Sequence, residues 1–201
     1  MAVLGDLLFY RRDQVGLDDV LRDQVERLRD KVDALPDKVF SEKTDDEIAV
    51  LIAKEQAISP LIVDFAAATP SVQETEIEVR DQFGFRGGPV RMAGLRATKA
   101  IPFKGDPALW RLRTNPFTMN PPRGEVRGDK LVIGITVPAD QAEEAAGYIE
   151  QSVAQIPEYL ERQKAQIARH NSSLVTHVMR WIKVRRQRLG TASNLLKKLG
   201  G

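Results

Sequence analysis

Between Asp140 and Leu189 apolar residues recur at Ile149, Val153, Ile156, Leu160, Ile167, Leu174, Val178 and Trp181, in steps of three, four or seven. That period marks one face of a helix, and the face has to be buried against something. At about 1.5 Å per residue the stretch predicts a rod on the order of 75 Å. Pro138-Ala139 leads into Asp140 as the expected N-cap, and Glu143, three residues on, completes a carboxylate variant of the capping box. Gln163 and Asn171 fall near the seam and read as its solvated edge; a pair of polar residues fixing register is the other reading. Pro157 lacks an amide donor and disfavours helical geometry at Ile156, which predicts a kink or a division into two helices. Asn171-Ser172-Ser173, whose side chains compete for backbone bonds, marks a weaker break.

The other segments must supply what this seam packs on. Leu17, Leu21, Val25, Leu28, Val32 and Leu35 describe an amphipathic helix stopped at Pro36. Thr44-Asp45-Asp46-Glu47 is a capping box that opens a second helix through Ile48, Leu51 and Ile52, ending at Ser59-Pro60. The period then changes to two. Thr75, Ile77 and Val79 alternate with Glu74, Glu76, Glu78 and Arg80, and Ala93, Leu95, Ala97, Ile101 and Phe103 alternate through a following strand. Between them Phe83 to Pro89 reads as a turn. Glu125-Val126 and Leu131 to Val137 flank Arg127-Gly128-Asp129-Lys130 as a hairpin, with Leu131, Ile133, Ile135 and Val137 on the buried face. Asn115 to Gly124 contains three prolines and predicts an exposed loop long enough to bind something.

This order implies an α+β fold: an antiparallel sheet packed against amphipathic helices, with a long C-terminal helix kinked at Pro157. Residues 1–201 read as one domain, mainly helical over 1–60, mainly strands over 61–137, and a long and a short helix over 138–201. A hydrophobic content of 42% suits a buried core. No run of apolar residues is long enough for a membrane span, and Met1 to Tyr10 lacks the basic start and cleavage site of a signal peptide, so it reads as a strand or docking segment. Zero cysteines exclude disulfides and thiolate metal sites and fit a cytoplasmic location.

Charge is polarised. Residues 1–80 carry eighteen acids against ten bases, whereas residues 162–201 carry ten bases and no acid. Arg180, Lys183, Arg185, Arg186 and Arg188 fall all around the helix rather than on one stripe, so the apolar seam is being lost there. Such an end is solvated or matched by the acidic N-terminal part of the chain, inserted among nucleic-acid phosphates, or covered by an acidic protein partner. Only Trp181 lies nearby for base stacking, so nucleic-acid contacts would be to phosphate and salt-sensitive. Leu174, Val178 and Trp181 make the seam a candidate interface between two copies of the chain.

Catalytic signatures are weak, and no catalytic, metal or cofactor-binding residue is assigned. His170 and His177 stand about 10 Å apart along the helix, too far to share a metal. Gly84, Gly87 and Gly88 suggest a phosphate loop, but no Gly-Lys-Ser/Thr follows, and turn chemistry explains them. Arg127-Gly128-Asp129 sits where a hairpin needs a turn, and the terminal Gly200-Gly201 reads as a helix stop.

Phe103-Lys104-Gly105-Asp106, Leu109-Trp110, Pro122-Arg123-Gly124-Glu125-Val126, His170-Asn171-Ser172-Ser173-Leu174 and Arg185-Arg186 together resemble the N-terminal region of uncharacterised bacterial proteins encoded near mobile elements or anti-phage defence genes. The resemblance covers residues 36–189. It implies a sensing, scaffolding or regulatory module that precedes a variable effector domain, and it implies no catalytic residue. The expectation is therefore a bacterial, non-enzymatic interaction module with a protein partner or a second copy, no membrane and no cofactor. A nucleic-acid-binding domain is the alternative.

Overall fold

The computed structural model describes residues 1–10, 15–80, 89–116 and 120–200. The single domain expected over 1–201 is built as two compact units: Met1–Gly16 with Pro60–Gln163, and Leu17–Ser59 with Lys164–Gly201.

The first unit is an antiparallel sheet. Among the described residues its strands are β1 (Ala2–Val3), β2 (Asp6–Leu7), β3 (Ile62–Val63), β4 (Thr69–Arg80), β5 (Pro89–Lys104), β6 (Arg123–Arg127) and β7 (Lys130–Pro138). The order is β2-β6-β7-β5-β3, with β1 also on β7 and β4 also on β5. Strand β7 is central, and Leu131, Ile133, Ile135 and Val137 are buried as their alternation predicts. Val132, on the opposite face of the strand, is buried too, and β7 has strands along both of its edges. The β6–β7 hairpin turns at Gly128-Asp129, where Gly128 takes φ 59°, a conformation that favours glycine.

The N-terminal segment docks on this sheet, as a strand-like reading of Met1 to Tyr10 requires. Beyond β2, Phe9 stacks on Tyr159 with ring centroids 4.6 Å apart, and both Phe9 and Phe103 meet Trp110. The proline-rich stretch departs from expectation. Pro121 and Pro122 are buried, Leu8 N–H donates to Pro122 C=O at 2.8 Å, and Arg123-Gly124 open β6, so the end of the supposed exposed loop is part of the sheet. Its Phe117, Thr118 and Met119, and the turn residues Phe83 to Gly88 with Gly84, Gly87 and Gly88, lie outside the described residues.

The second unit is helical. Its helices are α1 (Leu17–Asp33), α2 (Asp37–Glu42), α3 (Asp45–Gln56) and the part of α4 (Ala142–Leu199) beyond Gln163. The Thr44–Glu47 capping box forms as read, with the Thr44 hydroxyl accepting from Glu47 N–H and the Glu47 carboxylate from Thr44 N–H. Helix α2, just past Pro36, has no periodic signal in its six residues and was legible only as a stop.

Helix α4 is one element. It begins at Ala142 after a 3₁₀ turn, Ala139–Gln141, so Asp140 lies in that turn and is not the N-cap. It continues through Pro157, and the expected division into two helices does not occur there or at Asn171–Ser173. At Pro157 one donor to the Val153 carbonyl is missing. At the serines the hydroxyls bond back into the helix, Ser172 to Arg169 C=O and Ser173 to His170 C=O, each at 2.8 Å. The separate short helix expected near Asn194 to Leu199 is the end of α4.

Candidate functional site

The basic end of α4 is where the sequence places a binding surface. Three of its five cations instead meet acids of the same helical unit. Arg185 Nη2 donates to Asp37 Oδ1 at 2.6 Å, Arg188 pairs with Asp33, and Arg186 pairs with Asp45. Arg186 also donates to Phe40 C=O at 2.6 Å and Lys43 C=O at 2.9 Å, the carbonyls left open where α2 ends. Its guanidinium lies 5.6 Å from the Phe40 ring. The planar fork of arginine suits several acceptors at once, which a lysine could not reproduce. Arg180 lies over the Trp181 ring at 5.5 Å, and Arg29 lies over the same ring at 5.6 Å. Lys183 is exposed.

The seam residues belong to this unit's own core. Leu174 and Val178 have no exposed surface, and with Ile182 they pack among Leu28, Val32, Phe40, Ile48, Ala49, Ile52 and Ala53, with Trp181 partly buried at the margin. The expected seam between two copies is thus an intramolecular one. Its depth follows from helical spacing: 174, 178 and 182 are four apart and share one stripe.

Polar residues of α4 are equally committed. Gln166 Nε2 donates to Asp18 Oδ1 at 2.7 Å. His170 Nε2 lies 2.6 Å from Gln24 Oε1, and Gln24 Nε2 donates to Gln56 C=O at 2.9 Å, so the amide oxygen of Gln24 receives and the imidazole Nε2 carries the proton. Burial pushes the His170 imidazole below its usual value, and the nearby His177 adds to the shift. Asn171 binds Ile58 through both ends of its carboxamide. In the sheet unit, Gln163 is 1% exposed and donates to Leu109 C=O at 2.9 Å. The solvated-edge reading of Gln163 and Asn171 is therefore overturned; each ties a segment far away in sequence, and a buried amide without such a tie would be costly.

Sequence reasoning missed a groove in the sheet unit, of about 380 Å³. One wall is the β4–β5 ribbon, with Val72, Leu95 and Ala97. The other is the first turns of α4, with Ala142, Ala145, Ala146 and Ile149. The alanines at 142, 145 and 146 are too short to fill the space between the helix and the ribbon, and that alanine spacing is the signal available in the sequence. Lys99 and Glu150 stand at the groove as its charged members among the described residues.

Among the described residues no cluster of three or more His, Asp or Glu side chains is spaced to hold a metal ion, and no helix is long and apolar enough to cross a membrane. Compared with protein-family models, curated proteins and solved structures, the chain matches none.

Proposed function

We propose that this chain is a non-enzymatic interaction module, a scaffolding or regulatory part of a bacterial cytoplasmic protein. The observation that carries this reading is a contrast between two surfaces. The basic end, the feature that most suggested nucleic acid, has Arg185, Arg186 and Arg188 engaged by Asp37, Asp45 and Asp33. The groove beside β4 is open and lined mainly by small and apolar side chains, a surface suited to covering by a partner. The resemblance to regions that precede effector domains in defence-associated bacterial proteins supports the same role, and the absence of cysteine fits the compartment.

The test is fluorescence anisotropy with labelled duplex DNA and single-stranded RNA over a series of salt concentrations, using this chain and an Arg180→Glu/Lys183→Glu variant. These two cations are chosen because they hold no ion pair among the described residues, so reversing them leaves the unit's internal pairs in place. The expected result is no binding at low salt by either protein. Binding that falls steeply with salt and disappears in the variant would establish the nucleic-acid reading in its place.

A further inference from the structure

We propose that the outer edge of β4 takes up an extended peptide as an additional strand, one with an apolar side chain and, adjoining it on the same face, basic side chains at every second residue. This deepens the reading of the chain as an interaction module and rests on it.

The edge follows from hydrogen-bond parity. Asp64, at the end of β3, donates to Pro102 C=O at 2.9 Å, while Phe103 N–H donates to Asp129 C=O at 2.8 Å on the opposite side, beside β7. Even-numbered residues of β5 therefore bond on the side shared by β3 and β4, and odd-numbered ones toward β7. The β4–β5 register is regular from Thr69↔Ala100 to Arg80↔Pro89, pairing Gln73 with Arg96 and Thr75 with Gly94. Odd residues of β4 thus complete the ladder, and Val72, Glu74, Glu76 and Glu78 turn both N–H and C=O outward. Pro70 shares their parity, where its missing proton costs no ladder bond. No other strand pairs with β4 among the described residues.

The side chains of those outward-bonding residues share one face with Leu95 and Ala97, the face that walls the groove. Val72, 64% exposed, stands at the groove's lip. A strand added here would lay one apolar side chain beside Val72 into the groove and set its next same-face side chains beside Glu74, Glu76 and Glu78. Arg91 reaches Glu78 at 3.4 Å and Glu76 at 4.0 Å from the far side, and Glu74 has no such cation among the described residues.

The acidic row decides the occupant. Pairing with β4 of a second copy would set one row of glutamates against another, and like charges directly across a ladder are destabilising. Phosphate backbones are repelled for the same reason. A strand with lysine or arginine at alternate positions meets opposite charge at each step, and its main chain satisfies the exposed edge.

Selection of random twelve-residue peptides displayed against the full chain tests this, followed by anisotropy with the synthetic, labelled winners. The variants are Glu74→Pro, which removes an outward N–H while leaving the β5 ladder intact, and Glu74→Lys/Glu76→Lys, which reverses the row. Thermal melts confirm that both fold, and winners N-methylated at alternate residues test the edge without altering the protein. Expected are winners with basic residues at every second position, weakened about tenfold by each variant and by N-methylation. Winners of another pattern, or winners indifferent to N-methylation and to Glu74→Pro, overturn the strand-addition proposal and leave the interaction module standing. Selection of no peptide also overturns strand addition. Failure of the module reading itself shows separately, as salt-sensitive binding in the DNA and RNA titration.

Discussion

Asn171 closes a two-point clamp on Ile58: its Oδ1 accepts from Ile58 N–H at 3.0 Å and its Nδ2 donates to Ile58 C=O at 2.9 Å. The two residues are 113 apart in the chain. The carboxamide takes the place of a neighbouring strand for Ile58, in the stretch 57–61 that follows α3 without regular structure, so the backbone there is satisfied by a side chain. Replacing Asn171 with Ala leaves a part-buried N–H and C=O unpaired, and the expected loss is about 1–3 kcal/mol. Urea unfolding measures it. Asn171→Asp should cost at least as much, because a carboxylate would face the Ile58 carbonyl.

Arg186 is the centre of the charged end, so Arg186→Lys should not be conservative. It keeps the charge but cannot serve Asp45, Phe40 C=O and Lys43 C=O together. The expected destabilisation is about 1–2 kcal/mol, held to that range because the side chain is partly solvated. Arg180→Lys, at an exposed position over the Trp181 ring, should lie within about 0.5 kcal/mol of the parent in the same unfolding assay. A double reversal, Arg185→Glu with Arg188→Glu, sets like charges against Asp37 and Asp33, and its loss of stability should shrink as salt rises.

His170 makes stability depend on pH. Its folded-state value lies below the ordinary 6.5 because burial disfavours the imidazolium. Between the folded and unfolded values the unfolded chain binds more protons, so stability rises with pH there. The contribution is complete above about 6.5 and is lost as pH falls through that value toward the lower folded one. Melting temperatures from pH 7.5 to 5.5 should fall for the parent and fall less for His170→Gln, which cannot titrate. A parallel decline in both proteins would show that His170 is not the source.

Gly5 holds the N-terminal segment against β6. Its φ is +77°, and a Cβ there would stand 2.2 Å from the Gly124 carbonyl oxygen, a main-chain atom that cannot swing aside. Gly5→Ala should therefore cost about 2 kcal/mol or more and free β1 and β2 from the sheet. Faster amide exchange at Leu4 and Leu8, whose N–H groups bond to Gly134 and Pro122, is the direct readout.

What could be read from the sequence was whatever a local period or a local side-chain exchange dictates. The helix from Leu17, the Thr44–Glu47 box, the β6–β7 hairpin with its Gly128 turn and the apolar seam of α4 all follow from spacing within one segment. So does the burial of Leu131 and Leu174, because a stripe of apolar side chains is buried wherever it packs. Partner choice belonged to the tertiary structure. A period says that Gln163, Asn171 and Arg186 occupy certain faces of a helix, but a polar side chain is stabilised only by the particular donor or acceptor brought within about 3 Å of it. Those partners, Leu109, Ile58 and Asp45, come from remote segments. The same limit hid the β4 edge and its groove: alternation marks β4 as a strand with one charged face, whereas which side of it stays unpaired depends on the order in which the other strands assemble.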